Sequence, residues 1–368
     1  KYIYICRVCS TLSAQSAAHL NPLTDHTMKK RLLLALVALA ALAGTGCDAF
    51  HKLNNDHKKS AQGRPYELIV VCPQDKWTGE LGDTLRSVLT APVPYLNQTE
   101  PHFDVLRVTE RGFSGMVADH RNILKVVTDP KLDSTTVAVQ YDVTSRPQIV
   151  LTLQGPDNRH LTDYVSAHRE QLLAVLEKAE RDRAIESALR YNETGIQKAI
   201  LKNFGVEMTV PKGYILAADQ PDFLWARFEY PEASQGFFIY SYPYAGKEAL
   251  TPEALIAARN QFAARIPGPS DGSYMTTSEL FVPGYRIFKL EGRVWIEMRG
   301  FWDVEGDFMG GPYVSYTTVD ERTGRVFTLD CYVYSPHLHK RNFMRGVEHL
   351  LYLCLLYTSP SPRDISGS

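Results

Sequence analysis

Ser114 is a candidate nucleophile for covalent chemistry, because Asp119 and His120 follow it closely in the sequence. A serine nucleophile with a histidine base is the arrangement that many hydrolases use. The nucleophile elbow needs G-x-S-x-G on a strained turn, and Gly112-Phe-Ser-Gly115 is one residue shorter than that pattern. The spacing therefore favours a loop serine beside a surface histidine, and a serine hydrolase stays as the alternative hypothesis.

Three histidines near the end of the chain, His337, His339 and His349, have the ring nitrogens that zinc binds. A zinc site needs three or four converging nitrogen, sulfur or carboxylate ligands. A proline before this group and two basic residues after its second histidine indicate an exposed loop, and no CxxC or HExxH pattern accompanies it. The sequence predicts no metal site.

Asp303, Glu305 and Asp307 alternate along the chain. On an extended strand they would point to one face, where they could act as acid and base or bind calcium. An EF-hand loop would need glutamate at its twelfth position, which is Val314 here. The pattern is more typical of a solvated hairpin. The sequence predicts no catalytic residue and no cofactor. The alternative hypothesis is a hydrolase that uses either the serine or a pair of these carboxylates.

Aromatic side chains are concentrated on neighbouring strands of the second half of the chain. Alternate members of a strand face opposite sides of a sheet, so helices on one side only would leave a tyrosine-rich surface on the other. Such a surface would suit a glycan, a peptide or a partner protein. The competing interpretation is that both faces are packed. The candidate binding surface comprises Trp225, Tyr240, Tyr242, Trp295, Trp302, Tyr316 and Tyr332.

The first half of the chain alternates strand-like and helical patterns. Apolar runs predict strands at 66–72, 103–109, 122–128, 135–143 and 148–153, with a short helix at 79–89. Residues 159–191 predict one long helix, because Leu161, Val165, His168 and Leu172 recur at steps of three and four residues. This helix must place its apolar side against the sheet.

The second half of the chain is richer in strands. A helix from 194 should end at Gly205 as its C-cap, and a second helix should begin at Thr251-Pro252 and end near 265, with a third near 340. Hairpin connections predict an antiparallel sheet. The predicted strands are 206–210, 223–230, 236–244, 280–290, 294–302, 313–319 and 326–334.

The predicted fold class is α+β, with two domains that each pack a mainly antiparallel sheet with helices, the second resembling an α-β-α sandwich. Residues 353–368 resemble the translation of a sequencing adapter, and 1–27 precede a start signal at Met28. The predicted organisation is upstream non-native sequence at 1–27, a lipoprotein signal peptide at 28–46, a tether at 47–64, an N-terminal α+β domain at 65–192, a C-terminal aromatic-rich α+β domain at 194–352 and an adapter-derived tail at 353–368.

Charge and cysteine usage narrow the function classes. The net charge is -1 with both signs interspersed, so no basic field is available to bind nucleic acid. Cys72 and Cys331 lie in strand-like apolar runs, one in each predicted domain. They could pair in an oxidising envelope, but the sequence favours two buried free thiols.

The segment from Met28 to Cys47 determines the expected compartment. Three basic residues precede an apolar run, 32–43, that is too short for the roughly 20 residues needed to span a bilayer, so it reads as a removed secretory signal. Small residues directly before Cys47 resemble the lipobox of bacterial lipoproteins, in which the thiol carries a diacylglyceryl group. The departure is Gly44, where that pattern usually has leucine. The alternative is an ordinary secretory signal with an incidental cysteine.

Further motifs are spread over the chain, and none of them is a catalytic signature. They are Glu100-Pro-His-Phe103, His120-Arg-Asn-Ile-Leu124, Glu180-Arg181, Phe308-Met-Gly-Gly-Pro312, Pro336, Lys340 and Arg341. With the lipobox, these motifs resemble a Bacteroidota lipoprotein family described only as domain-of-unknown-function family 4837, and the resemblance covers 28–352. The second domain is also similar, by analogy of fold alone, to PsbP/Mog1-type binding modules.

These observations together predict a lipid-anchored cell-envelope protein that binds or scaffolds without catalysis. Its membrane contact would be the acyl anchor at Cys47. Few acidic residues follow that cysteine, which favours the periplasm-facing leaflet of the outer membrane over the cell surface. The expected partner is an envelope protein or a glycan.

Overall fold

The computed structural model describes residues 58–356, which fall within one compact unit. The predicted signal peptide, Cys47, the upstream segment and all but the last residues of the tether lie outside the described residues, as do residues 357–368. Within 58–356, no helix is long and apolar enough to cross a membrane.

The first half of the described chain contains seven strands and four α-helices, and short 3-10 turns at Glu110–Gly112 and Gly115–Val117. The strands are β1 (Lys59–Ser60), β2 (Glu67–Val71), β3 (Asp104–Val108), β4 (Asn122–Thr128), β5 (Thr136–Tyr141), β6 (Ser145–Arg146) and β7 (Ile149–Gly155). The helices are α1 (Gln74–Trp77), α2 (Glu80–Leu89), α3 (Asn158–Ala167) and α4 (Arg169–Arg190).

The first sheet has the strand order β3-β2-β4-β7-β5. The expectation of a mainly antiparallel sheet is wrong for this half, because the β2–β3, β2–β4 and β4–β7 pairs are parallel and only β5–β7 is antiparallel. Helices and long loops join successive strands here, and such crossovers return the chain in the same direction. Helices α2, α3 and α4 pack on one face, and the loop that contains Phe113 and Val117 packs on the other.

The single helix predicted over 159–191 is two helices, α3 and α4, separated at His168. The backbone of His168 leaves the helical region, with φ -120° and ψ 27°, while its ring stacks on Tyr164 with centroids 4.0 Å apart. The periodicity was nevertheless informative, since Leu161, Val165 and Leu172 are all buried. A break in a helix that keeps the apolar side facing the same sheet does not change the sequence spacing of the apolar residues.

The second half contains ten strands and three α-helices, with 3-10 turns at Lys247–Leu250 and His349–Leu353. The helices are α5 (Thr194–Phe204), α6 (Pro252–Ala263) and α7 (Arg341–Glu348). The strands are β8 (Val206–Met208), β9 (Ile215–Gln220), β10 (Phe223–Glu229), β11 (Ser234–Pro243), β12 (Tyr274–Thr277), β13 (Gly284–Leu290), β14 (Arg293–Glu305), β15 (Gly310–Asp320), β16 (Arg325–Tyr334) and β17 (Cys354–Leu356).

The large sheet is antiparallel throughout, in the order β12-β14-β15-β16-β11-β10-β9 with β13 also paired to β14. Helices α5 and α7 pack on one face, and α6 packs on the other. The expected α+β class and the α-β-α layering of this half are confirmed. Gly205 adopts the left-handed conformation, φ 66°, that the C-cap of α5 requires.

The boundary predicted at 192–194 falls between α4 and α5. Ala188 and Ile185 of α4 nevertheless pack into the core of the second half, so the two halves share apolar contacts. The division into two domains at this boundary stays a prediction. Cys72 and Cys331 are buried free thiols, as expected. Residues 354–356 form the short strand β17, which pairs with β8.

Buried charges connect α7 to both halves. The carboxylate of Glu348 contacts Arg299 on β14 and lies 3.1 Å from Arg345, whose guanidinium is also 2.6 Å from Glu177 on α4. Burial alone would raise the pKa of Glu348, but the two arginines outweigh burial and lower its pKa to about 2. We refer to Glu177, Arg299, Arg345 and Glu348 as the α7 charge network.

Glu100 holds the first turn of α7 from the other half of the chain. Its carboxylate accepts hydrogen bonds from the backbone N–H groups of Lys340 at 2.7 Å and Arg341 at 2.9 Å. Lys340, the N-cap residue, supplies no side-chain cap of its own. Glu100 therefore satisfies donors that a helix start leaves unpaired, and its negative charge suits that end of the helix.

We expect Glu100→Ala to lower the free energy of unfolding by roughly 2–3 kcal/mol, because two buried N–H groups would lose a charged acceptor. Glu100→Gln, which keeps one acceptor oxygen, should cost less. Urea unfolding of the full chain measures the free energy of unfolding of both variants. The matched control is Glu110→Ala at an exposed position, and equal stability of Glu100→Ala and Glu110→Ala would contradict this role for Glu100.

Candidate binding cleft beside the hairpin of β14 and β15

The seven aromatic residues predicted as a binding surface do not form one exposed patch. Six of them are at least nine-tenths buried, and Tyr242 is partly buried. Trp295 and Tyr316 belong to the core under α5 and α7, whereas the other five lie on the face under α6. Helices cover both faces of the sheet, and this agrees with the competing interpretation that both faces are packed. Tyr240, for example, stacks on Phe262 of α6 with ring centroids 4.5 Å apart.

Three of those seven residues line a cavity beyond the end of α6. Trp225, Trp302 and Tyr332, with Tyr334, form the aromatic part of its wall, and its volume is about 250 Å³. Met309 and Ile266 are among the other lining residues, and Arg227 and Glu229 are the charged ones. We call this cavity the aromatic cleft.

Hydrogen bonds within the protein hold the rings of the cleft. The indole N–H of Trp225 donates to Tyr332 Oη at 2.8 Å, and that of Trp302 donates to the carbonyl of Val333 at 3.2 Å. The Trp302 and Tyr332 rings meet edge to face, with centroids 5.6 Å apart. Both indole donors are therefore used within the protein, and neither is available to a ligand.

Two glycines make room for these rings. A Cβ on Gly311 would lie 2.1 Å from the carbonyl oxygen of Val333, and one on Gly236 would lie 2.5 Å from Tyr332 Oη. A side chain at Gly311 would force the backbones of β15 and β16 to shift, and one at Gly236 would displace the Tyr332 ring. The close approach at Gly311 gives a physical reason for the run Met309-Gly-Gly-Pro312.

A charged rim borders the aromatic cleft on β10. Arg227 and Glu229 form an ion pair of 3.3 Å with both side chains nearly half exposed. The guanidinium of Arg227 also lies over the ring of Trp225, 5.5 Å from its centroid. The cleft therefore combines an apolar wall with a polar edge, which is the usual composition of a ligand site.

A larger open cavity of about 660 Å³ lies on the other side of the hairpin tip. Val304 and Met309 line both cavities. Within residues 58–356, none of the acidic residues lining the larger cavity forms an ion pair. We call this cavity the acidic groove; its charged lining residues are Glu279, Asp303, Glu305 and Asp307, and its large apolar ones are Leu280, Phe281, Phe301 and Phe308.

The predicted acidic hairpin therefore exists, although its residues are divided between two elements. Asp303 and Glu305 lie on β14, and Asp307 lies in the turn after it. The Ser270 hydroxyl and the backbone N–H of Phe308 donate to Asp307, and both lower the pKa of that carboxyl. In the described part of the chain, no three histidine, cysteine or acidic side chains converge as a metal site would require.

A buried ion pair positions α6, which ends beside the aromatic cleft. Arg259 of α6 donates to both carboxylate oxygens of Asp330 on β16, at 2.9 and 3.3 Å, and to Thr277 on β12 at 3.0 Å. Its guanidinium lies 3.7 Å from the centroid of the Tyr313 ring. Sequence reasoning missed this pair, and also missed β12. The two charges lie 71 residues apart, and β12 has only four residues.

Ser114, Asp119 and His120 do not come together as a catalytic triad. Ser114 is exposed before a 3-10 turn, whereas His120 is buried, with Nδ1 3.2 Å from the carbonyl of Asn122 and Nε2 3.5 Å from Glu67. Asp119 pairs with Lys59 at 3.4 Å. His120 is thus a structural residue, and no observation favours a serine hydrolase.

The three histidines near the end of the chain also occupy separate environments. His337 and His339 lie in an exposed loop, whereas His349 is buried with its Nε2 3.4 Å from the Tyr66 hydroxyl. Its other ring nitrogen has no hydrogen-bond partner among the described residues. Burial, with smaller contributions from Arg181 and Arg345, lowers the pKa of His349 to about 4. Glu348 and Glu180 raise this pKa, but they offset the lowering only in part.

Two family models match the chain, one in each half. Residues 193–352 match DUF4837 and residues 61–189 match DUF8532, and both are domains of unknown function. The expected resemblance to family 4837 is thus confirmed for the second half, and the first half matches a different family. None of the curated proteins compared matches the chain.

One solved structure, the human StarD13 (DLC2) lipid transfer and protein localization domain, aligns with 44% of this chain and 95% of its own. The identity is 8% and the TM-score is 0.15. A similarity this low supports no conclusion about the fold or the ligand of this chain.

His349 should make the protein less stable in mild acid. Its pKa is lower in the folded state than in the unfolded chain, so its contribution to stability is present above about pH 6.5 and is lost as the pH falls toward 4. The loss should approach about 3 kcal/mol at full protonation. Unfolding of the full chain in urea at pH 7, 6, 5 and 4 measures it.

His349→Gln should flatten the change in stability over this pH interval, because glutamine does not titrate. His337→Gln, at an exposed position, is the matched control and should behave as the parent chain does. If His349→Gln loses stability between pH 6.5 and 4 as steeply as the control, the buried ring does not cause the acid sensitivity.

Proposed function

We propose that this chain is a lipid-anchored cell-envelope protein whose folded body binds a ligand without catalysis, and that the aromatic cleft is its binding site. The family matches identify two domains of unknown function and leave the activity open. The location rests on the leader and the lipobox-like residues before Cys47. An origin in Bacteroidota rests on the sequence resemblance alone, and the periplasm-facing leaflet of the outer membrane rests on the few acidic residues that follow Cys47.

The observation that carries the binding proposal is the geometry of the aromatic cleft. Trp225, Trp302 and Tyr332 border a partly open cavity of about 250 Å³, and the ion pair of Arg227 and Glu229 lies at its edge. The polar atoms of the three rings are satisfied within the protein, so the wall needs no ligand to complete its hydrogen bonds. Rigid aromatic rings that are fixed in this way bind an apolar group with little loss of side-chain entropy.

The hydrolase alternative has no comparable support. A general base must lie within hydrogen-bond reach of the nucleophile that it activates. Ser114 is exposed, and the ring nitrogens of His120 face Asn122 and Glu67. The carboxyl of Asp307 has a lowered pKa, which suits a permanent negative charge better than the donation of a proton.

The anchor is tested by replacing the lipidated residue. We expect the parent chain, expressed with its leader in a bacterial host, to enter the detergent phase of a Triton X-114 separation, because acyl chains contribute about 0.8 kcal/mol per buried methylene. Cys47→Ala should enter the aqueous phase, whereas Cys72→Ala, a control at a buried thiol, should still enter the detergent phase. Mass spectrometry that finds an unmodified thiol at residue 47 would refute the anchor.

The cleft is tested by photocrosslinking from position 309 in intact cells. A benzophenone amino acid that replaces Met309, which lines both cavities, should give a discrete adduct. The same probe at Met116, which is 78% exposed in the other half of the chain, is the control and should give none. Equal labelling from both positions, or no adduct from position 309, would contradict a binding site at the cleft.

A further inference from the structure

We propose that the ligand is a basic segment of a partner polypeptide, which crosses the tip of the hairpin between β14 and β15. An apolar side chain of the segment would enter the aromatic cleft, and a lysine or arginine would lie in the acidic groove. This inference rests on the proposed function, because it specifies the chemistry of the ligand at the same site.

The charge of the acidic groove favours a cationic partner. Glu279, Asp303, Glu305 and Asp307 line it, and its lining contains no lysine, arginine or histidine. None of the four carboxylates forms an ion pair with another residue of 58–356. The whole chain has a net charge of only -1, so this negative potential is a local property of the groove.

The apolar residues of the groove indicate that the partner is more than a simple cation. Phe308 is fully exposed at the hairpin tip, and Leu280 is 83% exposed beside it. Large apolar side chains that remain in water next to carboxylates are typical of a protein interface. Lysine and arginine match such a surface, since each has a long apolar stem that ends in a positive charge.

The carboxylates are spread along the groove in a way that does not suit a metal ion. A calcium site would need six to eight oxygen ligands around one point. No three acidic, histidine or cysteine side chains of the described residues converge in this manner. Separate carboxylates along an open groove instead match successive basic side chains of an extended chain.

The position of the two cavities favours a polypeptide. They adjoin at Val304 and Met309, so one ligand can reach both. An extended peptide advances about 3.3 Å per residue and directs alternate side chains to opposite sides, so a few residues are enough to cross the hairpin tip. An anionic membrane surface is the less favourable occupant, because the four carboxylates would repel it.

Fluorescence anisotropy of three labelled decapeptides tests the inference on the full chain carrying Cys47→Ala. The probes alternate lysine with leucine, glutamate with leucine, and lysine with serine. We expect the lysine–leucine peptide to bind at least about tenfold more tightly than either of the others. Its affinity should fall as salt is added, because salt screens exposed charges.

Substitutions at the groove separate specific binding from general charge attraction. Asp303→Asn combined with Glu305→Gln and Asp307→Asn should weaken the lysine–leucine peptide about tenfold. The matched control, Glu110→Gln with Glu170→Gln and Glu232→Gln, removes the same charge from exposed positions elsewhere and should change nothing.

A second pair of variants tests the apolar contact without altering the core. Phe308→Ser should weaken binding severalfold, whereas Met116→Ser, which removes an exposed apolar side chain of the other half, should not. Thermal unfolding verifies that each variant keeps its fold. Equal losses for the groove variants and their controls would overturn the inference.

The outcomes also distinguish this inference from the proposed function. An adduct from position 309 without preference for the lysine–leucine peptide would leave the cleft as a binding site and reject a basic polypeptide as its ligand. If the chain binds phosphatidylglycerol vesicles and this binding depends on Phe308, the basic polypeptide is rejected as the ligand in favour of a membrane surface. The absence of both an adduct and peptide binding would reject both proposals.

Discussion

The α7 charge network is the interaction on which the rest of the described structure depends. Glu348 and Arg345 lie on the helix, Arg299 lies on β14, and Glu177 lies on α4. A charge that loses its partner inside a protein destabilises the fold strongly. The four side chains therefore favour one placement of α7, in which every charge is paired and both halves of the described chain contact the same short helix.

The position of β14 connects this network to the candidate binding site. Arg299 of the network and Trp302 of the aromatic cleft are three residues apart on that strand and point to opposite faces of the sheet. On the cleft side, Arg259 pairs with Asp330 and holds α6 against the sheet. The hairpin tip lies beyond both anchors, which explains how a rigid body can present Phe308 and three carboxylates to solvent.

Most elements of the fold were predictable, because local patterns carry enough information. The alternation of apolar residues predicted the strand 122–128 at its observed bounds, and Gly205 correctly indicated the end of α5. Distant contacts decide the parallel pairing in the first sheet and the four-residue strand β12. The break at His168 instead accompanies a local contact, the stacking of its ring on Tyr164, and it leaves the apolar spacing unchanged.

The sequence by itself determined the α+β class, the α-β-α layering of the second half, the buried thiols and the presence of aromatic and acidic residues on particular strands. Only the tertiary structure decided which of those residues reach a cavity. Trp225 and Trp302 do, whereas Tyr240, on the same face of the sheet, is enclosed under α6. The reason is that alternation assigns a residue to a face of the sheet, while exposure depends on where the covering helix ends.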